Sequence, residues 1–225
     1  MLGSAAVAMW WDIERPMQAE FEDWHSHEHM PERLAIPGFL RGTRWIALSG
    51  EPSYFVLYEA VKLATITGGA YLERLNNPTP WSRKMMPHHR NMVRSLCVVR
   101  ASLGSGLARA MATLRCSPSA GSGNALAEWL AHEVHALPAR KGFAGAHLLE
   151  SQPMAGMART TEQKIRGKDA VADLVLLLCG YDAEAIRALV GNEMGPDALV
   201  ARGAQSGSAA AFYQVAYSLT SREQA

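Results

Sequence analysis

Hydrophobic and polar positions follow two periods along the chain, and each change of period marks an element. Short apolar segments rich in β-branched and aromatic residues predict strands, and apolar positions three to four residues apart predict helices. In the first half, strands are predicted at 5–11, 39–48, 54–61 and 94–102, and helices from Pro16 to about residue 36 and at 66–76. A proline-rich segment, 77–90, is predicted to be irregular. The order is β-α-β-β-α-β.

The second half repeats this order. Strands are predicted at 107–116, 143–151, 174–181 and 210–220, and helices at 125–137 and 182–190. The first helices also align by residue, and the matched pairs are Trp24 with Trp129, His27 with His132, and Glu28 with Glu133. A Gly-Phe pair follows each helix. Repetition at a spacing of about 105 residues predicts two copies of one small domain, at 1–104 and 105–225.

A βαββαβ unit is the ferredoxin-like arrangement, a four-stranded antiparallel sheet with both helices on one face. The other face of such a sheet is apolar and needs a cover. A second copy supplies one, either because the two sheets pack face to face or because they curl into a shared barrel. The predicted fold class is therefore α+β, with two tandem ferredoxin-like repeats.

The segment around the first helix resembles a known family. A strand is followed by W-x-x-x-E-H-x-P-E-R at 24–33 and then by PGF at 37–39. This pattern resembles EthD-like members of the dimeric α+β barrel superfamily. The resemblance implies an intramolecular pseudo-dimeric α+β barrel, in which each repeat takes the part of one subunit. It also implies that His29, the histidine of E-H-x-P, lies near a cavity.

Composition and charge argue against nucleic-acid binding and against a membrane-spanning protein. The chain has 225 residues, is 48% hydrophobic and has a formal net charge of +1. Residues 1–104 carry 11 basic and 10 acidic side chains, and the rest carries 11 of each, so neither half has the basic excess of a nucleic-acid binder. The longest apolar segment is too short to span a membrane. The N-terminal segment is interpreted as a strand rather than a signal peptide, and the three separated cysteines indicate a reducing compartment, so a cytoplasmic protein is expected.

Glu28 stands out because of its neighbours on the first helix. At 100° per residue it shares the apolar face with Met17, Phe21 and Trp24. A carboxylate in such a position is costly unless it is hydrogen-bonded or opens into a cavity. Two interpretations follow: a structural glutamate that holds the helix to its neighbours, which is favoured, or a cavity-facing carboxylate with a raised pKa. His27 has a counterpart in the second repeat and is interpreted as structural.

The positions of His25 and His29 are polar in the first repeat only, because the aligned residues of the second repeat are Leu130 and Val134. A single functional pocket would leave such an asymmetry. The predicted catalytic residues are therefore His29 and His25, with Glu28. The alternative for His29 is a favourable charge near a helix C-terminus, or pairing with Arg33 or a carboxylate.

Metal and nucleotide chemistry have weaker support. His25 and His29 are four residues apart and could face one ion, as the histidines of HExxH do, but no third ligand has a suitable spacing. The phosphate-binding motifs GxGxxG and GxxxxGK[ST] are absent, as is GxSxG. We therefore predict no metal and no cofactor.

Four further side chains are predicted to bind a ligand: Trp24, Tyr58, Trp81 and His88. Trp81 and His88 lie in the proline-rich segment, and such segments often form binding loops. Packing remains the favoured interpretation of Trp81 and of Tyr58. Residues 152–171, which include Lys164, Arg166 and Lys168, have no equivalent in the first repeat. They form either a lid or an ordinary surface insertion, and their mixed charge favours the insertion.

Two functions fit these features. The first is a cofactor-independent enzyme that acts on a small organic acid, ketone or aromatic by histidine general acid/base catalysis. Isomerisation, cyclisation, decarboxylation and oxygenation are all chemistries that the resemblance implies for the group. The second is a non-catalytic ligand-binding or accessory protein. A third possibility is a fold that mainly presents a dimerisation surface. The expected partner is a small molecule, without nucleic acid or membrane, and a homodimer stays open.

Overall fold

The computed structural model describes residues 1–50, 52–152, 158–167 and 169–221. Its strands are β1 Ala5–Ile13, β2 Phe39–Ala47, β3 Tyr54–Ala60, β4 His89–Leu103, β5 Ala110–Cys116, β6 Phe143–Ser151, β7 Leu174–Gly180 and β8 Ala209–Thr220. All pairs are antiparallel, and the strands close into a barrel with the order β1-β3-β2-β8-β5-β7-β6-β4. The predicted α+β barrel is confirmed.

Each group of four consecutive strands has the ferredoxin-like order. The first group reads β4-β1-β3-β2 and the second reads β8-β5-β7-β6. The groups join through two seams, β2 with β8 and β4 with β6. Of the two packings left open by the sequence, the shared barrel is the one formed.

Strand β1 shows why both faces of the sheet are apolar. All nine of its residues are buried. Alternate side chains point to opposite faces, so Trp10 lies inside the barrel, where it stacks on Phe55 at 4.9 Å, whereas Met9 and Trp11 face outward. The outward face of the first four strands packs against the helices of the first half.

Helices cover the outside of the barrel. In the first half they are α1 Gln18–Trp24, a π turn His25–His29, α2 Met30–Leu34, α3 Leu63–Thr67, α4 Gly69–Asn76 and α5 Pro80–Met85. In the second half they are α6 Gly123–Ala136, α7 Thr161–Arg166, α8 Ala183–Asn192 and α9 Pro196–Ala201. None of the helices in the described ranges is long and apolar enough to cross a membrane.

The proline-rich segment 77–90 is not irregular, which corrects the prediction. Thr79 caps α5 by accepting a hydrogen bond from the Ser82 backbone N–H, and Pro80 occupies the first turn of the helix. Proline is tolerated there because the N–H it lacks would have no helical partner. Strand β4 then begins at His89, five residues before the predicted start.

Candidate functional site

The first helix changes its winding where the histidines lie. Residues His25–His29 form a π turn, in which the Met30 backbone N–H donates to the His25 carbonyl oxygen five residues earlier. Pro31 follows directly and cannot donate the hydrogen bond that a regular α-helix needs. π turns inside α-helices occur frequently at functional sites. The wider turn alters the predicted helix face, because each residue advances by a smaller angle than the 100° of an α-helix.

His25 and His29 both point towards the sheet. They are only 1% and 7% exposed, and their ring centroids lie 5.6 Å apart. His89, from the start of β4, approaches the same place and is 6% exposed. These three imidazoles help to enclose a space that we call the histidine cavity, whose lining is Met9, Trp11, Trp24, His25, His29, Met86, His89, Met92 and Arg166. Its volume of about 20 Å³ gives room for roughly one water molecule.

Burial keeps all three imidazoles neutral. Desolvation lowers the pKa of His25 and of His29 well below the ordinary value, and the Arg44 and Arg33 guanidiniums, respectively, lower them further. Desolvation likewise lowers the pKa of His89 to about 3. A neutral imidazole has one nitrogen with a free lone pair, which can accept a hydrogen bond or a proton that a bound substrate supplies.

Hydrogen bonds orient two of the rings. His89 Nδ1 lies 3.1 Å from the Met85 carbonyl oxygen and must donate to it, so Nε2 of the neutral ring has the free lone pair. His25 Nε2 lies 3.3 Å from the Tyr58 hydroxyl. The Nδ1 atoms of His25 and His29 are buried and have no hydrogen-bond partner in the described ranges. An unpaired buried polar atom is costly, so each of these nitrogens would be stabilised by a hydrogen-bond partner.

Part of the segment 152–171 covers this site, which corrects the favoured interpretation of a surface insertion. The ends of helix α7 reach the first half, and Arg166 lines the histidine cavity. Glu162 is 2% exposed and pairs with Arg33, which is equally buried. Lys168 and residues 153–157 lie outside the described residues.

A second cavity lies beside α7. Its volume is about 160 Å³, and its lining is Ile66, Leu72, Leu75, Arg94, Leu96, Ala158, Arg159, Thr160 and Gln163. Along β4, Met92 faces the histidine cavity, whereas Arg94 and Leu96, the next residues on the same side of the strand, face this one. Both cavities therefore lie in one groove between β4 and α7.

Glu28 has its own set of contacts and does not line the histidine cavity. Its Oε1 accepts hydrogen bonds from Trp24 Nε1 at 3.1 Å and Thr79 Oγ1 at 2.5 Å, and Ser82 Oγ lies 3.4 Å away. Thr79 is the cap of α5, so the carboxylate ties the first helix to the start of α5. The structure gives Glu28 a positioning role for the segment that leads to His89.

We expect Glu28→Ala to lower the free energy of unfolding by about 2 kcal/mol, because it leaves the Trp24 and Thr79 donors without their carboxylate. Glu133→Ala is the matched control at the aligned position, since the Glu133 carboxylate accepts no hydrogen bond from the described residues and its loss should change stability by less than about 0.5 kcal/mol. Urea unfolding measures both. Equal losses in the two variants would contradict the role given to Glu28.

The remaining predicted residues separate into two groups. Trp24 lines the histidine cavity, with its indole 4.4 Å from the His29 ring, and Tyr58 reaches it through His25. Trp81 instead donates to Glu20 at 3.2 Å, and His88 lies 2.7 Å from Glu14, so neither lines the cavity.

His27 is not buried in the helix packing. Its side chain is 73% exposed and lies beside Asp23, one turn earlier. His132, its counterpart in the second repeat, is also exposed. The shared His27–His132 position is therefore a solvent-facing position, and the structural interpretation of His27 is wrong.

No family model matches the chain, and no curated protein matches it. Solved structures do match over nearly the whole length. An anthrone oxidase-like protein superposes with a TM-score of 0.68 at 11% identity, covering 98% of this chain and 94% of the other. A protein from Thermus thermophilus described as heme-binding has a TM-score of 0.54 at 10% identity, covering 96% and 92%. The fold is that of the dimeric α+β barrel proteins.

A third neighbour is described as a major regulator of staphylococcal pathogenesis. It has a TM-score of 0.51 at 9% identity and covers 93% of this chain and 98% of the other. Proteins with very different descriptions therefore share this fold. Identities this low establish the fold, and the function has to be argued from the site.

Sequence reasoning missed His89 and Arg166 as cavity residues. Whether His88 or His89 faces the cavity depends on where β4 begins. Side chains alternate across a strand, so a shift of one residue exchanges the two faces. Arg166 carried no comparable signal, because its place depends on how α7 docks across the barrel. Among the described residues, no three His, Cys, Asp or Glu side chains are grouped so that they could hold a metal ion.

Proposed function

We propose that the chain binds a small organic molecule in the groove between β4 and α7 and transfers a proton with His29. The observation that carries the proposal is the convergence of three buried, neutral imidazoles on the histidine cavity. A neutral imidazole supplies the lone pair that a general base needs. The substrate class is a small organic acid, ketone or aromatic with a weakly acidic proton.

Among the three histidines, His29 is best placed to act as the base. It is slightly more exposed than His25, and its Nδ1 has no partner in the described part of the chain. His25 is engaged with Tyr58, and His89 uses Nδ1 on the Met85 carbonyl. His25 and His89 therefore act as positioning and polar groups beside the proton transfer.

Arginines around the cavity favour an anionic intermediate. Arg166 lines the cavity, and both Arg33 and Arg166 lower the pKa of His29 through their charges. Arg166, which lines the cavity, can also donate a hydrogen bond to an enolate or phenolate that forms when His29 removes a proton. That anion in turn favours the protonated histidine, which raises the pKa of the imidazole during the step.

The size of the histidine cavity limits what can enter it. A space of about 20 Å³ holds the reacting atoms, or a water-sized molecule, and the body of the substrate needs the neighbouring cavity of about 160 Å³. We propose that the ion pair between Arg33 on α2 and Glu162 on α7 separates the two cavities and opens when substrate binds.

Two neighbours' descriptions bear on the choice of ligand. The anthrone oxidase-like neighbour makes anthrone and related phenols reasonable probes. The heme-binding neighbour raises haem as a cofactor, but the residues around the histidine cavity leave room for roughly one water molecule and do not fit a macrocycle.

The finer family assignment is also a proposal. We propose an EthD-like pseudo-dimer with repeats at 1–104 and 105–225. Two findings support it: the identical strand order of the two groups of four, and the W-x-x-x-E-H-x-P-E-R segment, which contains the π turn.

A thermal-shift series tests the proposed function. Wild type, His29→Ala and His27→Ala are screened against anthrone, phenols and small carboxylic acids, and a hit is titrated, since ligand stabilisation grows with concentration. We expect His29→Ala to weaken the affinity of a hit by about tenfold, the equivalent of one lost hydrogen bond. His27→Ala is the matched control, because the residue lies two positions away on the same helix and faces solvent.

Turnover of a hit by wild type, and its loss in His29→Ala, would establish an enzyme. Binding that depends on His29 without turnover would support the second candidate, a non-catalytic ligand-binding protein. Affinity that is unchanged in His29→Ala, or lost equally in His27→Ala, would contradict a site at His29.

A further inference from the structure

A third cavity, larger than the two beside α7, lies in different surroundings. Its volume is about 250 Å³, and it opens at one end of the barrel between the end of β5, the segment before β7 and the turn before β8. Arg115, the penultimate residue of β5, lines it together with Ser117, Gln205, Ser206 and Gly207.

Arg115 has an unusual environment for a charged side chain. Its guanidinium lies over the Trp10 ring, 5.0 Å from the centroid, and burial lowers its pKa. Its Nε is buried without a hydrogen-bond partner, and it forms no ion pair within the described ranges. The indole, rather than a carboxylate, holds the group at the cavity.

Arg115 lines the cavity and has no carboxylate partner among the described residues, so an anionic acceptor in the cavity would supply the missing ion pair. Guanidinium pairs best with planar oxyanions, to which it donates two parallel hydrogen bonds. The surrounding side chains are small and polar, and they add no competing negative charge: Ser117, Ser206 and Gln205 are neutral. Gly207 has a positive φ of 96°, and a Cβ there would meet nothing within 4 Å, so the turn leaves the cavity open.

We propose that Arg115 forms the centre of a binding site for a small carboxylate at the mouth of the barrel. The site is separate from the histidine cavity, and its lining shares no residue with that of the histidine cavity. A cavity of this volume is smaller than a typical drug-sized pocket, so the ligand is a compact mono- or dicarboxylate.

Isothermal titration of the full chain with acetate, succinate and inorganic phosphate at low ionic strength tests the site. We expect succinate or acetate to bind wild type with a stoichiometry of one, and at least about tenfold more weakly to Arg115→Leu. Arg115→Lys, which keeps the charge but loses the planar fork, should bind with intermediate affinity. Should Arg115→Leu fail to fold, as judged by circular dichroism, the affinities of Arg115→Lys and wild type are compared instead, and equal affinities would contradict the proposal.

Arg202→Leu is the matched control. Arg202 also lies 5.0 Å from an indole centroid, that of Trp129, but it does not line the cavity. The proposal is overturned if wild type binds no carboxylate in the millimolar range, if only phosphate binds, or if Arg202→Leu weakens binding as much as Arg115→Leu. A wild-type dimer that dissociates in Arg115→Leu would also overturn it, because a second copy would then supply the acceptor.

Discussion

Glu162→Ala should lower the free energy of unfolding by about 3 kcal/mol, one of the two largest effects that we expect. The carboxylate pairs with Arg33, and both side chains are 2% exposed. Removing it leaves a buried guanidinium whose remaining acid is Glu32, at 3.2 Å. It also removes the acid that lies 3.7 Å from Arg166, a residue of the histidine cavity.

The double variant Arg33→Met with Glu162→Leu separates the cost of an unpaired charge from the cost of lost packing. Because a buried ion pair can often be replaced by apolar side chains of similar volume at little cost, the double variant should recover most of the lost stability. Urea unfolding gives the free energies, and amide exchange at Thr161–Arg166 reports whether α7 stays docked. A loss under about 1 kcal/mol in Glu162→Ala, with unchanged exchange in α7, would contradict the docking of α7 on the first half.

The barrel could be predicted because its determinants are local and repeated. Strand β1 and its neighbours carry apolar residues on both faces, and the same order of elements recurs in the second half. Such patterns depend only on the alternation of side chains along a strand. The choice between two facing sheets and a shared barrel could not be predicted, and the structure forms the barrel, which leaves no open sheet edge among the described strands.

The site could be predicted only in part. His25 and His29 were selected because the predicted second repeat has leucine and valine in their places, and the structure brings both histidines to one cavity. Glu28 lies beside Trp24 as predicted and accepts a hydrogen bond from its indole, but its carboxylate contacts the cap of α5 and does not line the cavity. The Arg33–Glu162 pair joins residues 129 positions apart, and no periodicity in the sequence carries that information.

Acid should destabilise the protein strongly, and this is the second large effect. His89 has a pKa of about 3 when folded against 6.5 for an ordinary histidine, and the pKa values of His25 and His29 are also well below 6.5. The unfolded chain therefore takes up protons near pH 6.5 that the folded chain excludes. Stability is full above pH 6.5 and falls as the pH drops towards 3, by at most about 1.4 kcal/mol per pH unit for each histidine.

Between pH 7.5 and 5.5, few carboxylates titrate, so the histidines dominate the change. We expect the three cavity histidines to lower the free energy of unfolding by roughly 4 kcal/mol over this interval, a large share of a typical total. His147, buried beside the N-terminal amine and with a pKa of about 3, adds to the loss. Urea unfolding at the two pH values measures the difference.

Replacing one buried imidazole assigns the effect to the cavity. In His89→Asn the amide can still donate to the Met85 carbonyl but cannot titrate, so the difference between pH 7.5 and 5.5 should shrink by about 1.4 kcal/mol. His27→Ala should keep the wild-type difference, because the His27 side chain is 73% exposed. A wild type that is equally stable at both pH values would show that water reaches the imidazoles in the folded state. The groove would then be open without substrate, and the proposed opening of the Arg33–Glu162 ion pair would be unnecessary.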